Sequence, residues 1–195
     1  MKRVIVATTN EGKIREIKEL LSGCQFEVVS SHEAGIFDKI EETGNTFEEN
    51  ALIKARYIHK LTGDIVIADD SGLEIDFLNG EPGIYSSRFM GELPYPVRNE
   101  KIVELMKNVN DKDRTARFRC AAALVTKDCE KIYEGVLGGK IACKPEGQNG
   151  FGYDPIFYVP EYGKTLAQLD NETKNKISHR GKAFRLLADD LKKLS

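Results

Sequence analysis

Two adjacent carboxylates, Asp69 and Asp70, follow a short apolar run in the middle of the chain. The preceding residues, Ile65–Ala68, are rich in β-branched side chains and predict a buried strand. In open α/β sheets, ligands gather beyond the carboxyl ends of strands, so acids placed there suit a divalent cation or a general base. Side chains alternate along a strand, which predicts that Asp69 and Asp70 face opposite sides and have different roles. The Asp-Asp-Ser-Gly sequence also suits an ordinary turn.

Groups that suit an anionic ligand come early in the chain. A strand over Val4–Ala7 is followed by the polar loop Thr8–Lys13 and then by apolar residues at helical spacing. Loop N–H groups and a helix N-terminus attract phosphate, Lys13 adds a full charge, and Asn10 offers a further hydrogen bond. Neither a P-loop nor a dinucleotide-binding glycine motif is present. An ordinary capped connection between strand and helix fits the same residues.

A second group of this kind lies near the other end of the chain. His179 and Arg180 open a predicted last helix, with Ser178 as its cap, at a position where anions are favoured. Lys174 adds a permanent positive charge upstream. In a glycine-rich stretch before it, Phe151 could offer a flat face to a purine. The alternatives are an aromatic side chain packed under a flexible loop and a histidine on the surface.

A pair of glutamates precedes a further predicted helix. Glu41 and Glu42 suit either a solvated acidic turn or a carboxylate ligand of a metal site. The Thr46–Glu49 sequence is typical of a capping box, and apolar residues then line one face of the helix. Lys54 and Arg56 are predicted on its exposed side, although one of them could reach phosphate.

Composition and charge narrow the class of protein. The 195 residues are 41% hydrophobic and 31% charged, with a formal net charge of −2, which argues against a broad nucleic-acid-binding face. Four scattered cysteines predict reduced thiols in a cytoplasmic protein rather than a disulfide or zinc framework. No apolar run is long enough for a signal peptide or a membrane span. We expect one α/β domain over residues 1–195, with two lobes and neither a nucleic-acid nor a membrane partner.

Seven short motifs follow one another along nearly the whole chain. They are Thr8-Thr9-Asn10-Glu11-Gly12-Lys13, Glu41-Glu42-Thr43-Gly44, Glu49-Asn50-Ala51, Ala68-Asp69-Asp70-Ser71-Gly72, Pro82-Gly83-Ile84-Tyr85-Ser86, Phe151-Gly152-Tyr153-Asp154-Pro155 and Ile177-Ser178-His179-Arg180-Gly181. Together they resemble the inosine triphosphate pyrophosphatase family, whose members cleave non-standard purine nucleoside triphosphates. The resemblance implies an elongated α/β fold with two lobes, a long mixed β-sheet flanked by helices and a ligand cleft between the lobes. It also implies a homodimer that hydrolyses ITP, dITP and XTP to the monophosphate and pyrophosphate.

The resemblance further implies a role for each matching position. A triphosphate cradle is implied for Thr8, Thr9, Asn10, Glu11, Gly12 and Lys13. Glu41 and Asp70 are implied as Mg²⁺ ligands, and Asp70 also as the base that activates water. Ser71 is implied as a substrate contact. A pocket for the base and the sugar is implied for Phe151, Gly152, Tyr153, Asp154, Lys174, His179 and Arg180.

The sequence leaves two other functions possible. A related pyrophosphatase of the same architecture would act on modified pyrimidine or other nucleotides. A non-catalytic nucleotide-binding module is the second alternative, although binding alone does not need a water-activating carboxylate. A phosphatase of the haloacid dehalogenase type is set aside, because no D-x-D sequence ends an apolar strand.

Overall fold

A computed structural model describes residues 2–194 of the chain. Within them, helices and strands follow one another as β1 (Lys2–Val6), α1 (Glu11–Leu20), β2 (Phe26–Ser30), α2 (Phe47–Thr62), β3 (Ile65–Ile75), α3 (Tyr95–Leu105), β4 (Thr115–Val125), β5 (Glu130–Ile141), β6 (Phe157–Val159), β7 (Lys164–Thr165), α4 (Asn171–Ile177) and α5 (His179–Leu191). The strands hydrogen bond in the order β2-β1-β3-β4-β5-β6-β7. β1 pairs in parallel with β2 and β3, whereas β6 pairs antiparallel with β5 and β7. The predicted mixed α/β sheet is therefore confirmed.

The described residues form two compact units, each with a hydrophobic core of its own. The first unit contains the residues up to Asp70, Cys120–Gly135 and those from His179 onward. The second contains Ser71–Arg119 and Val136–Ser178. None of the helices within residues 2–194 combines the length and the apolar character needed to cross a membrane.

The core of the first unit lies on both faces of its strands. Val4 and Val6 of β1 pack with residues of α1 and α5. Ile5, on the other face of the same strand, and Ala7, the residue that follows the strand, pack with residues of α2. This alternation is the period of two that an extended strand imposes on its side chains. It determines which helices each residue of the neighbouring strand β3 meets.

β3 extends further than the sequence predicts. Asp69 and Asp70 were expected beyond the end of a strand over residues 65–68, but β3 runs from Ile65 to Ile75 and both acids lie in its middle. The Asp-Asp-Ser-Gly sequence therefore forms neither a turn nor the carboxyl end of a strand. The reason is that buried partners bind both carboxylates, which removes the advantage that acids gain from solvation in a turn.

α2 begins and ends close to the predicted residues. Oγ1 of Thr46 accepts a hydrogen bond from the backbone N–H of Glu49 at 3.1 Å, as a capping box requires. The Glu49 carboxylate binds the N–H of Asn45, at 2.6 Å, instead of that of the cap residue itself. The helix stops at Gly63, which adopts the left-handed conformation with φ 71°.

One glycine allows α5 to reach the sheet of the first unit. A Cβ atom on Gly135 of β5 would lie 2.0 Å from the carbonyl oxygen of His179 and 2.8 Å from the backbone nitrogen of Ala183. A larger residue would push the first turn of α5 away from the strand. The close approach carries Arg180 into the interior, where only 2% of its surface is exposed.

Candidate active site

Asp69 lies on the face of β3 that packs against α1 and α5. It is fully buried, and its Oδ2 accepts hydrogen bonds from Arg180, at 2.9 Å from Nη2 and at 3.2 Å from Nε. Nζ of Lys13 lies 3.2 Å from the same oxygen. Burial raises the pKa of Asp69, but Lys13 and Arg180 outweigh burial and hold that pKa well below its usual range. Asp69 is therefore an ionised partner of two cations.

Glu16 completes the charge network around Arg180. It is buried on α1, and its Oε2 accepts a hydrogen bond from Nη1 of Arg180 at 2.7 Å. Two cations, Lys13 and Arg180, thus face two carboxylates, Asp69 and Glu16. Glu16 was not among the residues predicted from the sequence. Its spacing does place it on one helix face with Lys13, three residues before it, and Leu20, four residues after it.

Asp70 faces the opposite side of β3, toward α2. Nδ2 of Asn50 donates a hydrogen bond to its Oδ2 at 3.2 Å, and Nζ of Lys54 lies 3.5 Å from its Oδ1. Burial raises the pKa of Asp70, and this effect outweighs the opposing attraction of Lys54 and Lys13. The prediction that the two acids face opposite sides is confirmed. Their surroundings move their pKa values apart, as different roles in acid–base chemistry require.

Lys54 is buried, so the prediction that it lies on the exposed side of α2 is wrong. Its side chain is 10% exposed, and its Nζ lies 2.5 Å from Oε1 of Glu42. Burial lowers the pKa of Lys54, but the charges of Asp70 and Glu42 raise it above its usual value. A signal was available: Asn50, Lys54 and Ile58 recur on the buried face of the helix at a spacing of four residues.

The segment before α2 brings Glu42 to this cluster. Glu42 and Asp70 both contact the ammonium group of Lys54. Burial is the largest cause of the raised pKa of Asp70, and the negative charge of Glu42 raises that pKa further. Glu41, the residue that the sequence resemblance implied as a metal ligand, is exposed. The structure therefore adds Glu42 as a candidate beside Glu41.

Asn50 connects this segment to Asp70. It is fully buried, and its Oδ1 accepts a hydrogen bond from the backbone N–H of Gly44 at 2.8 Å, while its Nδ2 donates to Asp70. A Cβ atom on Gly44 would lie 2.7 Å from that Oδ1. A glycine is therefore required for the segment to pass this close to the amide.

The carboxylates of the cluster suit a divalent ion that is shared with a substrate. Within residues 2–194, no group of three or more His, Cys, Asp or Glu side chains is arranged to hold a metal ion. Glu42 and Asp70 are nevertheless close enough to contact one cation, the ammonium of Lys54. Mg²⁺ is usually bound by one or two carboxylates, with waters and substrate phosphates as the other ligands. The donor set fits Mg²⁺ on that pattern.

The predicted phosphate-binding loop leads into the first turn of α1. Asn10 caps the helix, because its Oδ1 accepts a hydrogen bond from the backbone N–H of Lys13 at 3.0 Å. Oγ1 of Thr8 accepts from the backbone N–H of Asn10 at 3.2 Å. The side chain of Lys13 remains 15% exposed beside Asp69. A helix N-terminus and a lysine thus lie at one place, which suits a phosphate chain.

The second unit holds Phe151, Asp154 and Lys174 together. Oδ2 of Asp154 accepts a hydrogen bond from the backbone N–H of Phe151 at 2.8 Å and lies 2.5 Å from Nζ of Lys174. That ammonium lies 4.9 Å from the centre of the Phe151 ring. Gly150, with φ +74°, makes the arrangement possible, because a Cβ atom there would lie 2.1 Å from Oδ2 of Asp154. A buried ion pair therefore holds this loop in place.

α3 supports the same loop from the side. Nδ2 of Asn99 donates a hydrogen bond to the carbonyl oxygen of Gly152 at 3.0 Å. The ring of Tyr95 meets that of Tyr153 edge-on, with 5.2 Å between centres, and the Tyr153 hydroxyl donates to the carbonyl oxygen of Ser86 at 2.8 Å. Burial raises the pKa of Tyr153 to about 12. Its side chain packs in the core of the second unit, and its implied contact with substrate stays a prediction.

The model of the Ham1 family matches residues 4–190. The chain belongs to the Ham1 family. It is 50% identical over 190 residues to a protein of Bacillus licheniformis named dITP/XTP pyrophosphatase, covering 96% of this chain and 97% of the relative. A protein of the same name from Bacillus subtilis is 49% identical over 197 residues, covering 100% and 96%. The resemblance inferred from the seven motifs is therefore confirmed.

Solved Ham1 structures have the same fold. A Ham1 protein of Coxiella burnetii matches with a TM-score of 0.88 and 44% identity, covering 99% of this chain and 100% of that one. The Ham1 protein of Staphylococcus aureus matches with a TM-score of 0.86 and 44% identity over 100% of both chains.

In this Ham1-family chain the predicted site residues lie in both units. The first unit brings Lys13, Asp70 and Arg180 into the charged surroundings described above. His179 also lies there and is buried rather than on the surface. Thr9, Glu11 and Glu41 are exposed. The second unit contains Ser71, Phe151, Gly152, Tyr153, Asp154 and Lys174.

Proposed function

We propose that this chain hydrolyses the non-standard purine nucleoside triphosphates ITP, dITP and XTP to the monophosphate and pyrophosphate, and so removes them from the nucleotide pool. The observation that carries the proposal is the pair of neighbouring acids in β3. Asp69 holds two cations, whereas Asp70 is a buried carboxylate with a raised pKa beside Glu42. The names of relatives that are about half identical over nearly their full length support the substrate class.

The residues of the first unit have distinct tasks in the proposed reaction. Lys13 and the N–H groups of the loop before α1 bind the triphosphate through charge-assisted hydrogen bonds, each worth about 1.5–3 kcal/mol. Asp70 takes a proton from the attacking water as the general base. The water oxygen forms a bond to the α-phosphorus, the bond between that phosphorus and the bridging oxygen breaks, and pyrophosphate leaves.

Glu42 and Asp70 are the proposed ligands of Mg²⁺, with Glu41 as the candidate from the sequence. When bound, Mg²⁺ supplies positive charge that offsets the negative charge of the phosphate oxygens. The proposal for Glu42 is supported by its direct contact with the same ammonium group that Asp70 approaches.

Replacing Glu42 by glutamine is expected to raise the Mg²⁺ concentration for half-maximal rate at least about tenfold, because a ligand carboxylate loses its charge. Glu41→Gln is the matched control, one residue away and exposed, and is expected to leave that concentration unchanged. Pyrophosphate release at saturating ITP, titrated with Mg²⁺, measures both. A strong effect of E41Q together with none of E42Q would contradict the assignment of Glu42.

Base selection follows from the polarity of hydrogen bonds. Inosine and xanthine carry an acceptor oxygen at C6, where adenine carries a donor amino group. A site that offers donors pairs with the oxygen, and a site built around a required hydrogen bond rejects the wrong partner by about 10⁴–10⁵. Lys174 and the backbone N–H groups of the Phe151 loop are proposed donors. The substrate contacts implied for Ser71, Gly152, Tyr153, Asp154, His179 and Arg180 are kept as proposals.

A substrate panel tests the proposed function. Pyrophosphate release is measured with ITP, dITP, XTP, ATP, GTP, dUTP and dTTP, with and without Mg²⁺. We expect kcat/KM for the first three to exceed that for GTP and to exceed that for ATP at least about a hundredfold, and activity to require Mg²⁺. Equal rates throughout would contradict the proposal. A preference for pyrimidine nucleotides, or binding without pyrophosphate release, would support one of the two alternative functions.

Residues 1–195 are further proposed to act as one domain with two lobes, in a cytoplasmic homodimer. Free thiols at all four cysteines support a reducing compartment. Phe77 and Tyr85, both about half exposed in the second unit, suit a contact between subunits. Light scattering of the purified protein measures the oligomeric state.

A further inference from the structure

Lys54 is in contact with both carboxylates that are proposed to hold the metal. Its Nζ lies 2.5 Å from Oε1 of Glu42 and 3.5 Å from Oδ1 of Asp70. Asn50, one helical turn earlier on α2, donates to the other oxygen of Asp70. α2 therefore supplies a hydrogen-bond donor to one oxygen of this carboxylate and a positive charge to the other.

The charges of the first unit show why a lysine is stable at this buried position. Three cations face four carboxylates: Lys13, Lys54 and Arg180, with Glu16, Glu42, Asp69 and Asp70. Arg180 contacts Asp69 and Glu16, and Lys13 contacts Asp69. Lys54 is the ammonium that contacts both Glu42 and Asp70. Glu42, Asp70 and Lys54 together carry a net charge of −1, which attracts a further cation. That attraction is opposed when the cation has to lie next to the ammonium of Lys54.

We propose that Lys54 is an intramolecular cation that competes with the divalent metal for Glu42 and Asp70, so that the metal binds together with the nucleotide rather than before it. The inference rests on the proposed function for the role of these two carboxylates. An ion that used the same oxygens would be repelled by the ammonium at short range in a partly buried site. Phosphate oxygens of the nucleotide accept hydrogen bonds from a lysine, so they give Lys54 a new partner when it leaves the carboxylates.

Competition of this kind makes two binding events depend on each other. If the nucleotide draws Lys54 away from the carboxylates, it raises the affinity for the metal, and by linkage the metal raises the affinity for the nucleotide by the same factor. Removing the positive charge of Lys54 should therefore strengthen metal binding to the free protein and weaken this dependence. A lysine that only stabilised the fold would show neither effect.

Binding of Mn²⁺ alone, measured by electron paramagnetic resonance, tests the competition. Lys54→Met keeps an unbranched side chain that is only one atom shorter and removes its charge, and we expect its Kd for Mn²⁺ to be at least about tenfold lower than that of the unaltered protein. Lys60→Met is the matched control, since Lys60 lies on the same helix and is exposed, and its Kd should not change. An unchanged or higher Kd in K54M would overturn the inference.

The dependence on nucleotide is measured on the unaltered protein, with an α,β-methylene analogue of ITP and a parallel titration that corrects for chelation in solution. We expect the analogue to lower the Kd for Mn²⁺ at least about fivefold, and this factor to shrink in K54M. Equal affinity with and without the analogue would overturn the inference even if K54M did not fold; Lys54→Gln is a second neutral variant. The failure of the proposed function is recognised separately, by the lack of pyrophosphate release from ITP, and leaves the comparison with Mn²⁺ alone valid.

Discussion

Asp70→Asn is expected to lower the turnover of ITP about a thousandfold, because an amide cannot take the proton of the attacking water. The fold should survive. Asparagine keeps the shape of the side chain and an oxygen that can accept the hydrogen bond from Asn50. Burial already disfavours the charged form of Asp70, which is why its pKa is raised, so a neutral group is tolerated at this position.

Pyrophosphate release and the thermal unfolding of the same D70N preparation measure these two effects. Near-normal turnover in a folded D70N protein would remove Asp70 from the mechanism. Loss of activity accompanied by loss of folding would contradict the view that this carboxylate serves the reaction rather than the structure.

Asp69→Asn, one residue earlier, is expected to reduce stability, which D70N should leave intact. It should lower the free energy of unfolding by about 3–5 kcal/mol. The substitution leaves the buried guanidinium of Arg180 with Glu16 as its remaining acidic partner among the contacts described, and it removes the carboxylate beside Lys13. Urea unfolding at neutral pH, compared with the unaltered protein and with D70N, measures the difference. Equal stability of D69N and the unaltered protein would show that the network is not required for folding.

The effect of D69N should also depend on pH. The pKa of Asp69 is depressed in the folded protein, so its stabilising contribution is complete above the pKa of an unfolded aspartate, near about 4. The contribution is lost as the pH falls below that value, because the unfolded chain then takes up protons that the folded protein does not. The difference in stability between D69N and the unaltered protein should therefore be largest at neutral pH and shrink in acid. A difference that stayed constant down to about pH 3 would contradict the assigned charge state.

Local patterns in the sequence predicted the parts of the site that depend on neighbouring residues. The opposite orientation of Asp69 and Asp70 follows from the period of a strand, and the start of α2 follows from the hydrogen bond that Thr46 accepts. The extension of β3 through both acids did not follow. The preference for a turn depends on four consecutive residues, whereas Arg180, whose guanidinium binds the buried Asp69, lies 111 residues away in the sequence.

The buried charges were the harder part to predict for the same reason. A lysine on the apolar stripe of a helix is tolerated only with a partner, and the partner of Lys54 is Glu42, 12 residues earlier in an irregular segment. Glu16 pairs with Arg180 across 164 residues. The resemblance of the motifs implied a role for Arg180 in the site, but only the structure shows its contacts with Asp69 and Glu16.

Asp69 and Arg180 lie 111 residues apart in the sequence, and this has a consequence for the order in which the first unit can fold. Protein synthesis proceeds from the N-terminus at about 5–20 residues per second, so β3 leaves the ribosome before Arg180, one of the two cations that contact Asp69. Until residue 180 has been made, Asp69 lacks one of the two cations that contact it, and the core of the first unit lacks Phe184 and Leu187 of α5. We therefore expect chains that stop before α5 to lack a complete core in the first unit and to be cleaved by proteases faster than the full chain.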